Sequence, residues 1–216
     1  MSDAPVIVIG AGGHAKVVIE LIREGGEYEV VGVIDADPAT REVLGVAVIG
    51  DDSALERLRR EGLDRAFVAL GDNRRRLEIG RRVEAAGFSL VNAVSLRAAI
   101  SPSARVGAGV AIMAGAVVNA DSWIEDFAVL NTNASIDHDC VLGEACHVGP
   151  GSALAGRVNV GRLAFLGVGT RAIPGVSIGE GSIIGAAACV TRDIPAGVLA
   201  HGVPAKIIRT LDGAGR

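Results

Sequence analysis

From Ile100 onward the chain keeps a six-residue period. Positions 100, 106, 112 and so on to 190 read Ile, Val, Ile, Val, Ile, Leu, Ile, Leu, Val, Leu, Val, Leu, Ala, Ile, Ile, Val. Fifteen of these sixteen are branched aliphatics, and Ala172 is the exception. Four residues further on, fifteen of sixteen positions hold Ala, Ser, Thr, Cys or Val, and Ile194 ends the series. Gly often follows the aliphatic, as at Gly107, Gly143, Gly161 and Gly179. No insertion breaks the register over 96 residues. Such a repeat is the mark of a β-helix. Three hexads close one triangular coil, with the aliphatic inside and the small residue beside it near the corner. Coils stacked at ~4.8 Å make a prism of about five coils, roughly 25 Å long. A β-sandwich needs period-two alternation and irregular loops instead. The composition agrees with a narrow core and many turns: half the residues are hydrophobic, only 3% are aromatic and 30 are Gly.

Residues before the repeats follow a different rule. Val6–Ile9, Val30–Ile34, Phe67–Leu70 and Phe88–Val91 read as short strands. Ala15–Arg23 and the Arg-rich Arg75–Ala86 have helical spacing, and Ser53 with Glu56 reads as a capping box before a short helix. Strands alternating with helices predict parallel βαβ units. The expected division is 1–98 for a βαβαβ, half-Rossmann-like domain and 99–216 for the β-helix. A short helix over Ala205–Leu211 is expected to cap its open end.

A net charge of −4 without a basic patch speaks against a nucleic-acid partner. No apolar run approaches the ~20 residues of a membrane span. The start, Met1 to His14, has no charged leader segment, and the three Cys fit neither a disulfide framework nor a zinc motif. The expected setting is cytoplasmic.

Several residues are candidates for chemistry. Gly10-Ala11-Gly12-Gly13-His14-Ala15 follows a strand and opens a helix, and Asp35 ends the next strand. This fits a dinucleotide fingerprint, and amides at a helix start hold phosphate. Only about 90 residues precede the repeats, room for one nucleotide-binding half, so a mononucleotide or nucleotide-sugar fits better than NAD. Gly71 ends the third strand and is expected to converge with Gly12 and Asp35 at the strand ends. His138, between Asp137 and Asp139, and His147 occupy neither the aliphatic nor the small slots. Both are expected on the outer surface or a subunit seam, on adjacent faces. Flanking carboxylates suit His138 to general-base work. Two repeat histidines lack a third partner for zinc, so no metal is expected. Cys140 and Cys146 fill small inward slots and read as core.

The Gly-rich start, the stretch from Asn131 to Cys140 and Gly202-Val203-Pro204-Ala205-Lys206 together resemble a family of bacterial sugar acyltransferases. The family includes nucleotide-amino-sugar N-acetyltransferases of the bacillosamine and perosamine type, and sialic acid O-acetyltransferases. The resemblance covers nearly the whole chain. It implies a left-handed parallel β-helix and a homotrimer with acetyl-CoA in the groove between neighbouring β-helices. By resemblance His138 is the catalytic base and Asp139 the acid that raises its basicity, where the family often has Glu. His147 contacts acetyl-CoA, the Gly156 amide stabilises the thioester oxyanion, and Val168 and Ala186 line the cofactor groove. Gly12, Gly13, His14, Asp35, Ala36 and Gly71 match the nucleotide-sugar loops. The implied activity is acetyl transfer to the amine of a UDP- or GDP-linked 4-amino-4,6-dideoxyhexose. The rivals are sialic acid O-acetylation, an NAD-linked oxidoreductase and a non-catalytic scaffold.

Overall fold

The computed structural model describes residues 4–37 and 39–211. The chain divides into two compact units at Leu96 and Arg97. The first is an α/β sheet with β1 (Ala4–Ile9) at its centre. Around it run β2 (Tyr28–Ile34), β3 (Glu42–Val43), β4 (Val46–Gly50), β5 (Arg65–Val68) and β6 (Ser89–Leu90). The order is β3-β4-β2-β1-β5-β6, and all neighbours are parallel except β3 and β4. Val6, Ile7 and Val8 have no exposed surface, as a strand covered on both faces requires. The chain turns from one side of β1 to the other between β4 and β5. A switch in strand order opens a crevice at the carboxyl ends of the strands.

Helix α1 (Gly13–Gly25) buries Ala15, Val18, Ile19, Leu21 and Ile22, one stripe at helical spacing. α2 spans Leu55–Arg60 and α3 spans Asn73–Ala85. One local expectation is corrected. Ser53 and Glu56 do not form a capping box: Asp51 accepts from the Ser53 amide and hydroxyl and starts a 3-10 turn over Asp52–Ala54. The strands β3 and β4 have no counterpart in the sequence reading. They are short and β3 is a two-residue hairpin arm, too brief to show a period.

The second unit is a parallel β-helix. Two-residue strands recur every six residues and stack on partners 18 residues away, in three sheets. Face one holds Val117–Val118, Ser135–Ile136 and Ala153–Leu154. Face two holds Trp123–Ile124 and Val141–Leu142, and face three Val129–Leu130 and His147–Val148. From Ile112 to Val190 every predicted inward aliphatic position is buried, Ala172 included. The small slots Ser122, Cys140, Cys146, Ser152, Thr170 and Ser182 are also buried. Each buried aliphatic contributes about 1.5–3 kcal/mol.

Corners are where the sequence period meets backbone geometry. Among the described residues, every sixth position from Gly109 to Ala187 has positive φ. Six are Gly, but Asp121, Phe127, Asn133, Asp139, Ala145, Arg157, Leu163 and Ala187 carry side chains in this left-handed region. Such residues are uncommon, and Asn and Asp tolerate the conformation best. Stacking also excludes side chains at some corners. A Cβ on Gly143 would lie 2.6 Å from the Arg162 amide nitrogen of the next coil.

The tail differs from expectation. Lys206–Thr210 is a strand, not a helix, and pairs antiparallel with Val198–His201. All five of its residues are exposed. The unsatisfied edge of the last coil supplies the backbone partner that a short isolated helix would have lacked.

Candidate active site

Two constellations stand out, one in each unit. In the first unit, three strand-end loops converge. Gly10 has φ +104, and a Cβ there would meet the Ala69 carbonyl oxygen at 2.9 Å, so the β1–α1 and β5–α3 loops touch through glycine. Asp35 ties β2 to the same loop: Oδ2 accepts from the Ala11 amide at 2.6 Å and Oδ1 from the Asp37 amide at 2.8 Å. Gly12 is the N-cap of α1 and no side chain caps the helix. Its first-turn amides are therefore open to an anion. Gly12, Gly13, Ala36 and Gly71 are exposed, while His14 and Asp35 are partly buried. Burial first, and the Arg76 guanidinium second, push the His14 imidazole down to about 4. It is neutral at working pH.

In the second unit, His138 stands at the corner between faces one and two. Its side chain is 47% exposed, and Nδ1 lies 2.7 Å from Asp139 Oδ2. Asp139 is one of the left-handed corner residues, φ 58, which turns its carboxylate back toward the preceding ring. A carboxylate only accepts, so the ring proton sits on Nδ1 and the lone pair on Nε2. Asp137 Oδ1 accepts from the His138 amide and from Asn119 Nδ2. This fixes the backbone on which the imidazole hangs, and sequence reading missed the Asn119 contribution. Nε2 lies directly over Gly156, one coil on. A Cβ at Gly156 would approach Nε2 to 2.5 Å and Cε1 to 2.6 Å. Gly156 is buried.

The sequence reading puts His147 on the outer surface or a subunit seam, and in the single chain it is 8% exposed. It also lies on face three, whereas His138 lies at the corner opposite that face. Asn131 Nδ2 is 3.0 Å from His147 Nε2 and donates to it, and the Phe165 ring packs edge-on with centroids 5.1 Å apart. Both partners are one coil away, at a spacing of 16 and 18 residues, a relation visible only once the coil length is applied.

Val168 and Ala186 are exposed and stack at the corner between faces three and one. The ladder proves the register: the Gly169 amide donates to the Pro150 carbonyl and the Ala187 amide to the Val168 carbonyl. His138 and Gly156 are stacked in the same way at their own corner, since the Arg157 amide donates to the His138 carbonyl. Within one chain, then, His138 and Gly156 share one edge of the prism. Val168 and Ala186 share another, with His147 on the face beside it. A cleft of about 350 Å³ lies over face one, lined by Asp137, Ala153, Ala155 and Arg171 among others. Cys140 and Cys146 are buried, and burial pushes the Cys140 thiol above its ordinary value. Both are core residues. Among the described residues no group of three His, Cys, Asp or Glu is placed to hold a metal. Among them also, no helix is long and apolar enough to cross a membrane.

Residues 5–83 match the PglD N-terminal domain. The chain is 60% identical to PerB from Caulobacter crescentus, solved in complex with CoA and GDP-perosamine. That likeness covers 96% of this chain and 99% of that one, with a TM-score of 0.93. It is 38% identical to the acetyltransferase domain of PglB from Neisseria gonorrhoeae, solved with acetyl coenzyme A. There it covers 96% of this chain and 100% of that chain, with a TM-score of 0.89. A putative acetyltransferase of Staphylococcus aureus is 46% identical over 66 residues, 31% of this chain, and the match spans 33% of that protein's length. With its βαβ unit joined to a left-handed parallel β-helix, the chain belongs to the family of bacterial nucleotide-sugar N-acetyltransferases.

Proposed function

We propose that the protein transfers acetyl from acetyl-CoA to the amine of a GDP-linked 4-amino-4,6-dideoxyhexose of the perosamine type. The observation that carries the chemistry is the His138 imidazole, with its Nδ1 proton on Asp139 and its Nε2 lone pair over Gly156. The 60% identity to an enzyme holding CoA and GDP-perosamine supports the substrate pair. The sugar amine attacks the thioester carbonyl. As the N–C bond forms, the amine proton passes to His138 Nε2. No acceptor among the described residues takes the Gly156 N–H, which leaves it available to the developing oxyanion. The C–S bond then breaks, and the thiolate leaves with the proton that His138 carries. Asp139 holds the imidazole in the required tautomer throughout. No acyl-enzyme is required.

Acetyl transfer with a panel of UDP-, GDP- and CMP-linked amino sugars and sialic acid tests this reading. Activity is expected with the GDP-linked amine. Turnover only with a hydroxyl acceptor moves the protein to O-acetylation, and hydride transfer with NAD moves it to another class.

The separation of residues around the prism supports a homotrimer. His138 and Gly156 at one edge complete a groove with His147, Val168 and Ala186 only if the second edge comes from a neighbouring copy. Trp123, on face two, is 48% exposed in the single chain. Light scattering is expected to give a mass near three times 21.9 kDa. A monomer that retains full activity contradicts the shared groove.

The first unit is assigned to the nucleotide-sugar through Gly12, Gly13, His14, Asp35, Ala36 and Gly71. Asp35→Ala removes the carboxylate that receives the Ala11 and Asp37 amides. It is expected to weaken nucleotide-sugar binding about tenfold or more, the scale of charge-assisted hydrogen bonds lost. Acetyl-CoA affinity stays unchanged, because the cofactor is assigned to the β-helix. Equal losses for both ligands in calorimetry contradict that division.

A further inference from the structure

Arg76 is a fully buried arginine on α3, the largest side chain without exposed surface among the described residues. Its neighbours along the buried stripe are Leu77, Gly80 and Val83, where an aliphatic residue would satisfy the fold. Burying a guanidinium is costly and is tolerated only where its donors are used. Nη1 donates to the Leu70 carbonyl at 2.9 Å and reaches the Gly71 carbonyl at 3.4 Å, and Nη2 donates to Asn73 Oδ1 at 2.8 Å. These acceptors are successive parts of the loop that leads from β5 into α3. The other side of that loop, Gly71 and Asp72, faces solvent at the strand ends. The guanidinium charge also reaches His14, which belongs to the β1–α1 loop. One side chain thus fastens one strand-end loop from below, and its charge adds to the burial that already disfavours protonation of His14 on the next. The first turn of α3 adds Arg74 and Arg75 and contains no acid. Asp72 caps this helix, its Oδ1 accepting from the Arg75 amide at 2.8 Å, which ties the exposed end of the loop to the same turn that Arg76 holds from inside.

We propose that Arg76 is a positioning residue for the nucleotide-sugar, holding the Leu70–Asn73 loop in its binding shape. It acts through the loop, not by touching the diphosphate. The proposal rests on the assignment of the strand-end crevice to the nucleotide-sugar.

The test uses the full chain with Arg76→Met and Arg76→Lys, checked for folding by thermal melting. In Arg76→Met, KM for the nucleotide-sugar is expected to rise about ten- to hundredfold, the scale of lost hydrogen bonds to a charged group. KM for acetyl-CoA and kcat at saturating sugar stay within twofold. Arg76→Lys keeps the charge but loses the planar fork, and is expected to recover part of the affinity. Carbon-13 NMR of labelled histidine, assigned with His14→Gln, reads the reach of the Arg76 charge to His14. His14 is expected to titrate near 4 in the wild type and at higher pH in Arg76→Met, because a like charge has gone.

A nucleotide-sugar KM within twofold of wild type in folded Arg76→Met overturns the proposal. So does a parallel loss for both substrates, which marks a merely structural role. If Arg76→Met does not fold, Arg76→Lys with unchanged nucleotide-sugar KM overturns it. GDP titration separates this proposal from the assignment beneath it. Weak GDP binding in Asp35→Ala with normal binding in Arg76→Met sinks only the role of Arg76. Normal binding in both sinks the crevice assignment itself.

Discussion

His138→Ala lowers kcat by ~10²–10⁴, the range for loss of a positioned general base. The fold is expected to survive, because the side chain is 47% exposed and contributes nothing to the inward stack. Acetyl-CoA binding is also expected to survive, since the role proposed for His138 is proton removal, while His147, proposed to contact the cofactor, lies on another face. Asp139→Asn keeps the ring but replaces an obligate acceptor with a group that also donates. Part of the population then carries its proton on Nε2, where the lone pair is needed. The loss is therefore smaller than for His138→Ala. Single-turnover measurements at saturating acetyl-CoA and sugar isolate the chemical step. Near-normal turnover in His138→Ala means that the amine reacts without this base.

Gly156→Ala is the second large effect, and it comes from a single methyl group. The new Cβ would sit 2.5 Å from His138 Nε2, well inside contact distance. The imidazole, half exposed, is free to swing away, so stability changes little. The cost falls on catalysis: a displacement of about 1 Å at the reacting atom is worth about 10² in rate. The double variant with His138→Ala decides the cause. If the methyl acts by displacing the ring, adding Gly156→Ala to His138→Ala costs almost nothing further. Full additivity places the effect in the Gly156 amide instead. A single Gly156→Ala variant with unchanged kcat shows that Nε2 does not need its place over this residue.

Much of this was legible because the β-helix writes its geometry into spacing. The inward positions and small slots follow from steric layering alone, and from Ile112 onward the buried residues fall on the expected period. His138 was visible because it broke no slot and stood between two acids. What stayed hidden depends on contacts across coils or between loops. His147 reads as an outer-surface or seam histidine, and only the stacked coils bring Asn131 and Phe165 against it. Non-glycine corners such as Phe127 and Leu163 give no local sign of positive φ, because the stacked coils impose that conformation. Lys206–Thr210 carries Ile207 and Ile208 in a pattern that serves helix or strand equally, and only the free edge at Val198–His201 decides. Arg76 looked like one more charge on an Arg-rich helix, and its zero exposure shows otherwise.

The uninterrupted register has a meaning beyond stacking. With 18 residues to a circuit, a residue's number divided by 18 leaves a remainder that acts as a compass bearing around the prism. His138 and Gly156 share one bearing, and Val168 and Ala186 share another. Coil count sets height, remainder sets direction, and the two are independent. Inserting one complete hexad between Gly156 and Val168 would leave every inward aliphatic inside and every small residue at its slot. It would nevertheless swing the whole distal segment by a third of a turn and bring Val168 round onto the bearing of His138. The prism would lose little as a solid and would no longer hold the two edges that the proposed homotrimer brings together. For such a chain, length between functional residues is a constraint as strict as their identity.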